Sequence, residues 1–403
     1  MGSALSTFTD FVASTGPSYL TSADQLVNEA VKNSYIMRRF LKGADKSFVI
    51  QGGSSIKDAL ILDEDSTFTQ YQPNDTFTWR NPQVMSTATA NWRFSVDHMS
   101  YTDQEIELNV GTGMTTEALR GIYKRLKREK EQRMWTSMIN GWEDLLWRLP
   151  KNSEMESDSG LYPYSIPAFI NENSNGLYAF TGDTFTTVEG ISPTSKTRWK
   201  PQQTAIDSAV TNNLELVGGD NYGTTLTAIG INPVIAAFDE MFYKVRFETP
   251  PTKQEYFEDP KLYGQFIACS RKAINVYQRG LRVAQDRFSG SGSPSDPSYL
   301  NPMYGGIELM YVASLDTAGL YGSGTSFLSE TAATTAGPRY YWINGQYLTP
   351  VFHTSRYMAK KDPMVHPNQP FTTVVPVDCW WNLFARSRQR HGIVYPGASI
   401  SSY

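Results

Sequence analysis

Scarce residues narrow the chemistry of this chain first. Its 403 residues include two cysteines, Cys269 and Cys379, and four histidines. Two thiols so far apart exclude a disulfide scaffold and point to a reducing compartment. Both sit in apolar, strand-like surroundings and read as core thiols rather than nucleophiles. No CxxC or HExxH occurs, and His353 and His366 are too distant for a local metal pair. The glycines of Val217-Gly218-Gly219-Asp220 lack the Lys-Ser/Thr of a phosphate-binding loop. No catalytic residue, cofactor or metal ligand is therefore expected. An apolar run of about 18 residues is missing, so no helical membrane span is expected, and MGSALSTFTDF at the N-terminus is not laid out like a signal peptide. Charge is sparse as well, at 19% of residues, and the net charge of −4 carries no global mark of nucleic-acid binding.

Aromatic residues are plentiful, at 13%, which suits large interfaces. The stretch around which the rest is arranged is Met114 to Pro150. Thr115 is placed to cap a helix, Glu117 puts an acid in its first turn, and Pro150 stops it. Leu119, Ile122, Tyr123 and Leu126, then Trp135, Met138, Ile139, Trp142, Leu145, Leu146 and Leu149, fall at helical spacing on one face. One unbroken helix here would be roughly 50 Å long at about 1.5 Å per residue. Its middle, Lys127 to Arg133, is wholly polar. From Arg120 to Arg133 there are seven bases and two acids. This spine is either a scaffold with a solvated middle or a basic rod crossed by something acidic.

Before the spine, residues 1–21 read as a loose arm, and Ser22 to about Lys42 as a helix ended by Gly43. From about 44 to 110 the period changes to two. Trp92, Phe94 and Val96 alternate with Arg93, Ser95 and Asp97, and Ile106, Leu108 and Val110 with acids and Asn109. Pro73-Asn74-Asp75 marks a hairpin turn. This excursion holds ten acids and four bases, so both halves of an acid-on-base contact are present in one chain. After Pro150 an irregular passage runs to about 201, with a short strand possible at Thr186–Val188. Next come a helix from Pro233, a buried strand at Phe266–Cys269, a helix with Ile274, Tyr277, Leu281, Ala284 and Phe288 inward, and a strand at 306–312. Strands return at 340–343, 347–353, 371–377 and 384–394. Residues 202–338 thus form an inserted α/β or α+β unit.

Three surface features carry alternatives. His98, in an alternating strand, suits a structural or interface role better than catalysis, and Asp63-Glu64-Asp65 a solvated loop better than a cation site. Arg386, Arg388 and Arg390 alternate along a strand-like run and so share one side. That side is a solvated edge, an intersubunit ion-pair face, or a surface toward DNA phosphates.

The order of parts resembles the major capsid proteins of tailed bacteriophages, which share the HK97-like fold. The segments that carry the resemblance are WRNPQVMSTATANWRFSVDHMSYTDQEIELN (79–109), the spine, and MYGGIELMYVASLD (303–316). It spans nearly the whole chain but rests on architecture, without a short diagnostic motif. It implies an α+β chain with an N-terminal arm and helix (1–43), an extended β-hairpin or E-loop (44–113), a spine and first part of a peripheral P-domain (114–201), an inserted axial A-domain (202–338), and closing strands of the P-domain (339–403). It implies self-assembly, without catalysis, into hexamers and pentamers of an icosahedral shell, built in the host cytoplasm and enclosing double-stranded DNA held non-specifically. A portal, a separate scaffolding protein (only residues 1–21 precede the first helix) and a decoration or cement protein are the implied partners. Subunit contacts are expected at Phe77, Trp79, Arg80 and Trp92 of the hairpin, at Lys127, Arg128 and Lys130 of the spine, and at Arg386, Arg388 and Arg390. Some members of the family weld subunits through a hairpin lysine; here none lies between Asp58 and Tyr123, so a non-covalent shell is expected. The rival readings are another virion component, such as a portal or tail protein, and a carbohydrate-active enzyme. The latter needs two positioned carboxylates, and no pair stands out in the sequence.

Overall fold

The computed structural model describes residues 36–37, 40, 49–50, 52–63, 67–72, 75–76, 84–104, 116–180, 183–206, 233–245, 265–285, 302–316 and 338–396. Within them lies an α+β architecture of two six-stranded sheets against one long helix. That helix, α1 (Thr116–Leu146), is unbroken over 31 residues. Its second half is packed: Met134, Met138, Trp142 and Leu146, four residues apart, are buried, as the spacing predicts. Its polar middle stays at the surface at Lys127 and Arg128. The helix ends at Leu146, short of the expected Leu149, because Trp147 turns into the core. Its backbone N–H reaches Asp144 O in a tightened last turn, and its ring meets Tyr341 edge-on at 5.3 Å.

The first sheet is built on one strand of 17 residues. Strands β1 (Val49–Ile50), β2 (Ser55–Ile61), β3 (Met85–Asn91) and β4 (Arg93–Thr102) precede α1, and β5 (Ala179–Phe180), β6 (Asp183–Thr184) and β7 (Gln202–Ile206) follow it. Beyond α2 (Pro233–Tyr243) come β8 (Gln265–Cys269), α3 (Arg271–Gln285), β9 (Met303–Tyr304), β10 (Ile307–Tyr311), β11 (Tyr340–Asn344), β12 (Leu348–His353), β13 (Ala359–Lys360), β14 (Met364–His366), β15 (Gln369–Ala385) and β16 (Gly392–Pro396). The long strand β15 pairs antiparallel with β4 from Thr372↔Thr102 to Trp381↔Arg93, and its inner end pairs with β12 from Leu348↔Ala385 to Phe352↔Trp381. Trp142 of α1 packs on this sheet between Phe352 and Trp381, both ring centroids 5.7 Å away. Such aromatic pairs are worth about 0.5–1.5 kcal/mol beyond their buried area.

The second sheet runs β7-β16-β11-β8-β10-β9. Strands β8 and β10 are parallel and joined through α3, the connection parallel strands require. Phe238 of α2 fills its core, stacked on Tyr277 and edge-on to Tyr304, Tyr340 and Trp342. The expected boundary at 338/339 cuts through this sheet, since β11 and β16 come from the closing segment. Of the closing segment, only the stretch between them, β12 to β15, joins the first sheet, beside β1 and β4.

Several expectations need correction. The period-two excursion is not one hairpin: β2 and β3 pair with each other from Ser55↔Asn91 to Ile61↔Met85, whereas β4 leaves them at Trp92 and joins β15. Crossing at Trp92 reverses the alternation. Arg93 is buried, while Phe94 and Val96 are 61% and 74% exposed. The strand expected over 384–394 is two, β15 and β16, separated by a turn at 386–390. Thr186–Val188 is no strand; Val188 only bridges Ile191. The arm helix, Ile106–Val110 and Phe288 lie outside the described residues, apart from Ile36, Met37 and Phe40, which are helical and buried.

Candidate assembly surface

The hairpin β2–β3 has two unlike faces. Ile56, Ala88 and Ala90 face the core and are buried. The opposite face carries the cross-strand pairs Lys57↔Thr89, Ala59↔Thr87 and Ile61↔Met85, because alternate residues share a face. At its outer end Ile61 and Met85 are 69% and 65% exposed, and Phe68 and Tyr71 beyond them are exposed too. Asp75 N–H donates to Gln72 O at 3.1 Å, and Gln72 N–H to the Asp75 carboxylate at 2.6 Å, while Pro73 and Asn74 of the expected turn lie outside the described residues.

The inner end of the hairpin is riveted to the body by buried polar groups. Trp92 Nε1 donates to Gly53 O at 3.0 Å. Asn382 Nδ2 donates to Asn91 O at 2.7 Å, while its Oδ1 accepts from Tyr164 N at 2.9 Å. Thr89 N donates to Glu189 O at 2.9 Å. Glu189 is fully buried at the first central position of a two-residue turn, with φ of 55° followed by Gly190 at 74°. Both values belong to the left-handed region that such hairpin turns need. Its carboxylate accepts Ala385 N at 2.8 Å, and burial, opposed by that bond, holds the carboxyl well above its ordinary range. Tyr164 accepts from Glu189 N at 3.1 Å and donates to Glu156; Glu156 also accepts from Thr187 and from Gly190 N at 2.9 Å. Ion pairs Arg386–Asp58 at 3.3 Å and Lys196–Asp63 line the flank.

The expected contact residues divide three ways. Phe77, Trp79 and Arg80 lie outside the described residues. On the spine Lys127 and Arg128 are exposed, whereas Lys130 reaches β4 of its own chain, donating to Ser100 O at 2.8 Å. Next to it Glu131 pairs with Lys360 of β13, and the Lys360 hydrogen bond lowers the Glu131 carboxyl below its ordinary value. Of the remaining four, Trp92, Arg388 and Arg390 are corrected by burial. Trp92 is core, edge-on to His353 at 5.4 Å. Arg388 is fully buried in the turn after β15 and donates to Phe169 O at 2.8 and 3.0 Å, Trp199 O at 3.0 Å and Gly176 O at 2.6 Å. Burial brings its guanidinium down to about 9. Arg390 is buried beside the Tyr347 ring. Only Arg386 of the three is exposed, so they share no face. A turn does not alternate, and an arginine whose donors are met by main-chain carbonyls can stay inside.

Arg93 repeats that device: its guanidinium donates to Gly160 O, Met155 O at 2.6 Å and Ser157 O at 2.7 Å. Nothing local in the sequence marks Arg93, Glu189, Tyr164 or Asn382, because most of their partners lie tens to hundreds of residues away. Between β4 and α1 opens a cleft of about 310 Å³, lined among others by Val96, Asp97, Trp142, Asp144, Arg148 and Tyr162. It brings Asp97 and Asp144 to one cavity, although the Asp144 carboxylate already accepts Ser314 Oγ at 3.1 Å. No group of three or more metal-binding side chains occurs among the described residues. Cys269 and Cys379 are buried and unpaired by any disulfide, with the Cys379 thiol pushed up to about 12 by burial. No described helix is long and apolar enough to cross a membrane.

No family model matches the chain, and no curated protein matches it. Among solved structures it is similar to the capsid of the cyanophage P-SCSP1u, with 11% identity over 87% of this chain and 85% of that one and a TM-score of 0.47. It is similar to the capsid of a native GTA particle, with 8% identity over 98% of this chain and all of that one and a TM-score of 0.49. It is also similar to the holo-SrpI encapsulin complex of Synechococcus elongatus PCC 7942, with 9% identity over 98% of each chain and a TM-score of 0.43.

Proposed function

We propose that this chain is a major capsid protein with the HK97-like fold, which assembles into the icosahedral head of a tailed bacteriophage around its DNA. The observation that carries this reading is the hairpin. Its inner end is held by buried hydrogen bonds, yet its outer end presents Ile61 and Met85 side by side to solvent. Rigid anchoring of an apolar end gains nothing for an isolated subunit, but it pre-organises a contact between copies. The exposed Phe94 and Val96 of β4 and Phe371 of β15 add apolar surface on the first sheet. Hexamers and pentamers would repeat one contact many times, with the basic spine surface at Lys127 and Arg128 meeting the acidic hairpin of a neighbour. A separate scaffolding protein, a portal, a decoration protein, non-specific contact with double-stranded DNA and assembly in the host cytoplasm complete the proposal.

The experiment is negative-stain microscopy and sedimentation of the purified chain, alone and expressed with its neighbouring gene products. Closed shells of many copies are expected. A chain that stays a small oligomer under all those conditions refutes the proposal. The carbohydrate-active alternative would place its carboxylates in the cleft at Asp97 and Asp144, and it requires a small, active oligomer.

A further inference from the structure

Strand β4 is an edge of the first sheet. On one side it pairs with β15, and on the other no strand lies among the described residues. Successive residues of a strand turn their main-chain groups to opposite sides. Ser100 O accepts Lys130 Nζ at 2.8 Å, and His98 N–H donates to Asp97 Oδ1 at 2.8 Å. Even-numbered residues therefore turn their groups away from β15. An open edge of this kind is a template for another strand. Both of its ends are closed. At one end Trp92 enters the core, and buried Arg93 is tied to the carbonyls of Met155 and Ser157. At the other, Lys130 covers the Ser100 carbonyl. The open stretch is thus Phe94 to His98, with Val96 at its centre. Phe94 and Val96 are exposed, and the cleft toward α1 opens beside Ser95, Val96 and Asp97, so the chain leaves room next to this part of the edge.

We propose that two copies of this chain pair through this edge, antiparallel and in one register, with Val96 opposite Val96 on a two-fold axis. A two-fold contact must be self-complementary, and this register makes it so on both faces of the strand. On the exposed face Val96 meets Val96, and Phe94 meets His98. On the other face Ser95 meets Asp97, twice by symmetry. Ser95 Oγ already accepts Trp381 Nε1 at 2.9 Å, which leaves its own proton to donate to Asp97 of the second copy. The Val96 main-chain groups of the two copies bond each other, and His98 N–H exchanges Asp97 Oδ1 for Phe94 O of the second copy.

The neighbouring registers fail. Centring the pair on Asp97 sets two carboxylates directly opposite each other, which is destabilising, and sets Phe94 against Ser100, whose carbonyl Lys130 holds. Centring it on Ser95 sets His98 against Trp92, which is in the core. The contact uses no part of the β2–β3 hairpin, so it stands or falls separately from the hairpin contact proposed above.

Disulfide trapping of the full-length chain tests this. Cys269 and Cys379 are buried, so an added edge thiol is the accessible one. With oxidised glutathione as oxidant, two thiols give up two protons and an electron pair to form one disulfide. Directly opposite residues with main-chain groups facing each other have Cα atoms about 5.5 Å apart, inside the disulfide range of about 4.4–6.8 Å. Val96→Cys should therefore shift from the subunit mass of 45.2 kDa to twice that mass in non-reducing gels. Phe94→Cys and His98→Cys should each stay at subunit mass, because each lies roughly 14 Å along the strands from its own twin. A mixture of Phe94→Cys and His98→Cys chains should give the joined pair that neither gives alone. Val96→Cys remaining at subunit mass overturns the proposal, and so does a Phe94→Cys chain that traps itself as readily. A mixture that stays unjoined overturns the register and the proposal with it, and it decides alone should Val96→Cys not fold. Trapping of Val96→Cys only to a neighbouring gene product also overturns it. Shells that form without any trap remove this contact and leave the shell reading standing; a trapped pair that never builds shells does the reverse.

Discussion

At the scale of single residues, the most telling feature is the use of arginine as an interior brace. Arg388 donates to three main-chain carbonyls, those of Phe169, Gly176 and Trp199, and so ties their segments to the turn after β15. Arg388→Met is expected to destabilise the fold by about 3 kcal/mol, since it removes buried charged donors from three main-chain carbonyls at once. Arg386→Ala, at an exposed ion pair, should cost under about 0.5 kcal/mol. Denaturant unfolding of the two variants gives the comparison, and equal effects would refute the brace. A neighbour supplies a pH test. His391 is fully buried, its Nδ1 accepts Asn344 N at 3.1 Å, and burial with the charges of Arg388 and Arg390 pushes it down to about 3. A base with a lowered value contributes stability above its ordinary 6.5 that is lost as pH falls toward 3. Wild type should thus lose more stability than His391→Gln between pH 7 and 5, in parallel denaturant titrations. Gly160 is dictated by close approach: a Cβ there would stand 2.3 Å from Glu154 O and 2.8 Å from Arg93 Nη2.

At the scale of elements, the hairpin and the spine separate folding from assembly. Ile61→Asn with Met85→Gln alters only the exposed outer pair. Subunit stability should change by less than about 0.5 kcal/mol, while the yield of large particles should fall sharply. Sedimentation beside thermal melting reads both, and normal assembly would remove the hairpin end from the contact. Glutamate at Lys127 and Arg128 should behave the same way, because both side chains are at the surface. Lys130 is a poorer probe, because its bond to Ser100 O joins the spine to β4 within one chain.

At the scale of the whole molecule, the expected shell is held by burial and ion pairs. Lys57, the described lysine of the hairpin, sits on the outward face of β2 rather than at the tip. The two cysteines are both buried, so neither can reach another chain without unfolding. Boiling particles in detergent without reductant should release chains of 45.2 kDa. A ladder of covalent multimers would refute this, and Lys57→Arg would then show whether that amine is the source.

The sequence by itself determined what local periodicity and residue chemistry can encode. Met138, Trp142 and Leu146 announced the packed half of the spine, Phe266–Cys269 a buried strand, and Pro233 the start of a helix; each follows from spacing or backbone restriction over a few residues. The shortage of histidine, cysteine and motif glycines likewise argued against common metal and phosphate sites. Only the tertiary structure decided which elements share a sheet and which charges go inside. Alternation shows that β4 has two faces, but the crossing at Trp92 turns Phe94 outward and Arg93 inward. The strands β11 and β16 look like their neighbours β12 and β15, yet they join the second sheet, because β8 and β7 offer them unpaired edges. Arg388 reads as a surface charge until Phe169, Gly176 and Trp199 deliver carbonyls to it. Those acceptors come from about 190 to 220 residues earlier in the chain, and no local pattern can carry that information.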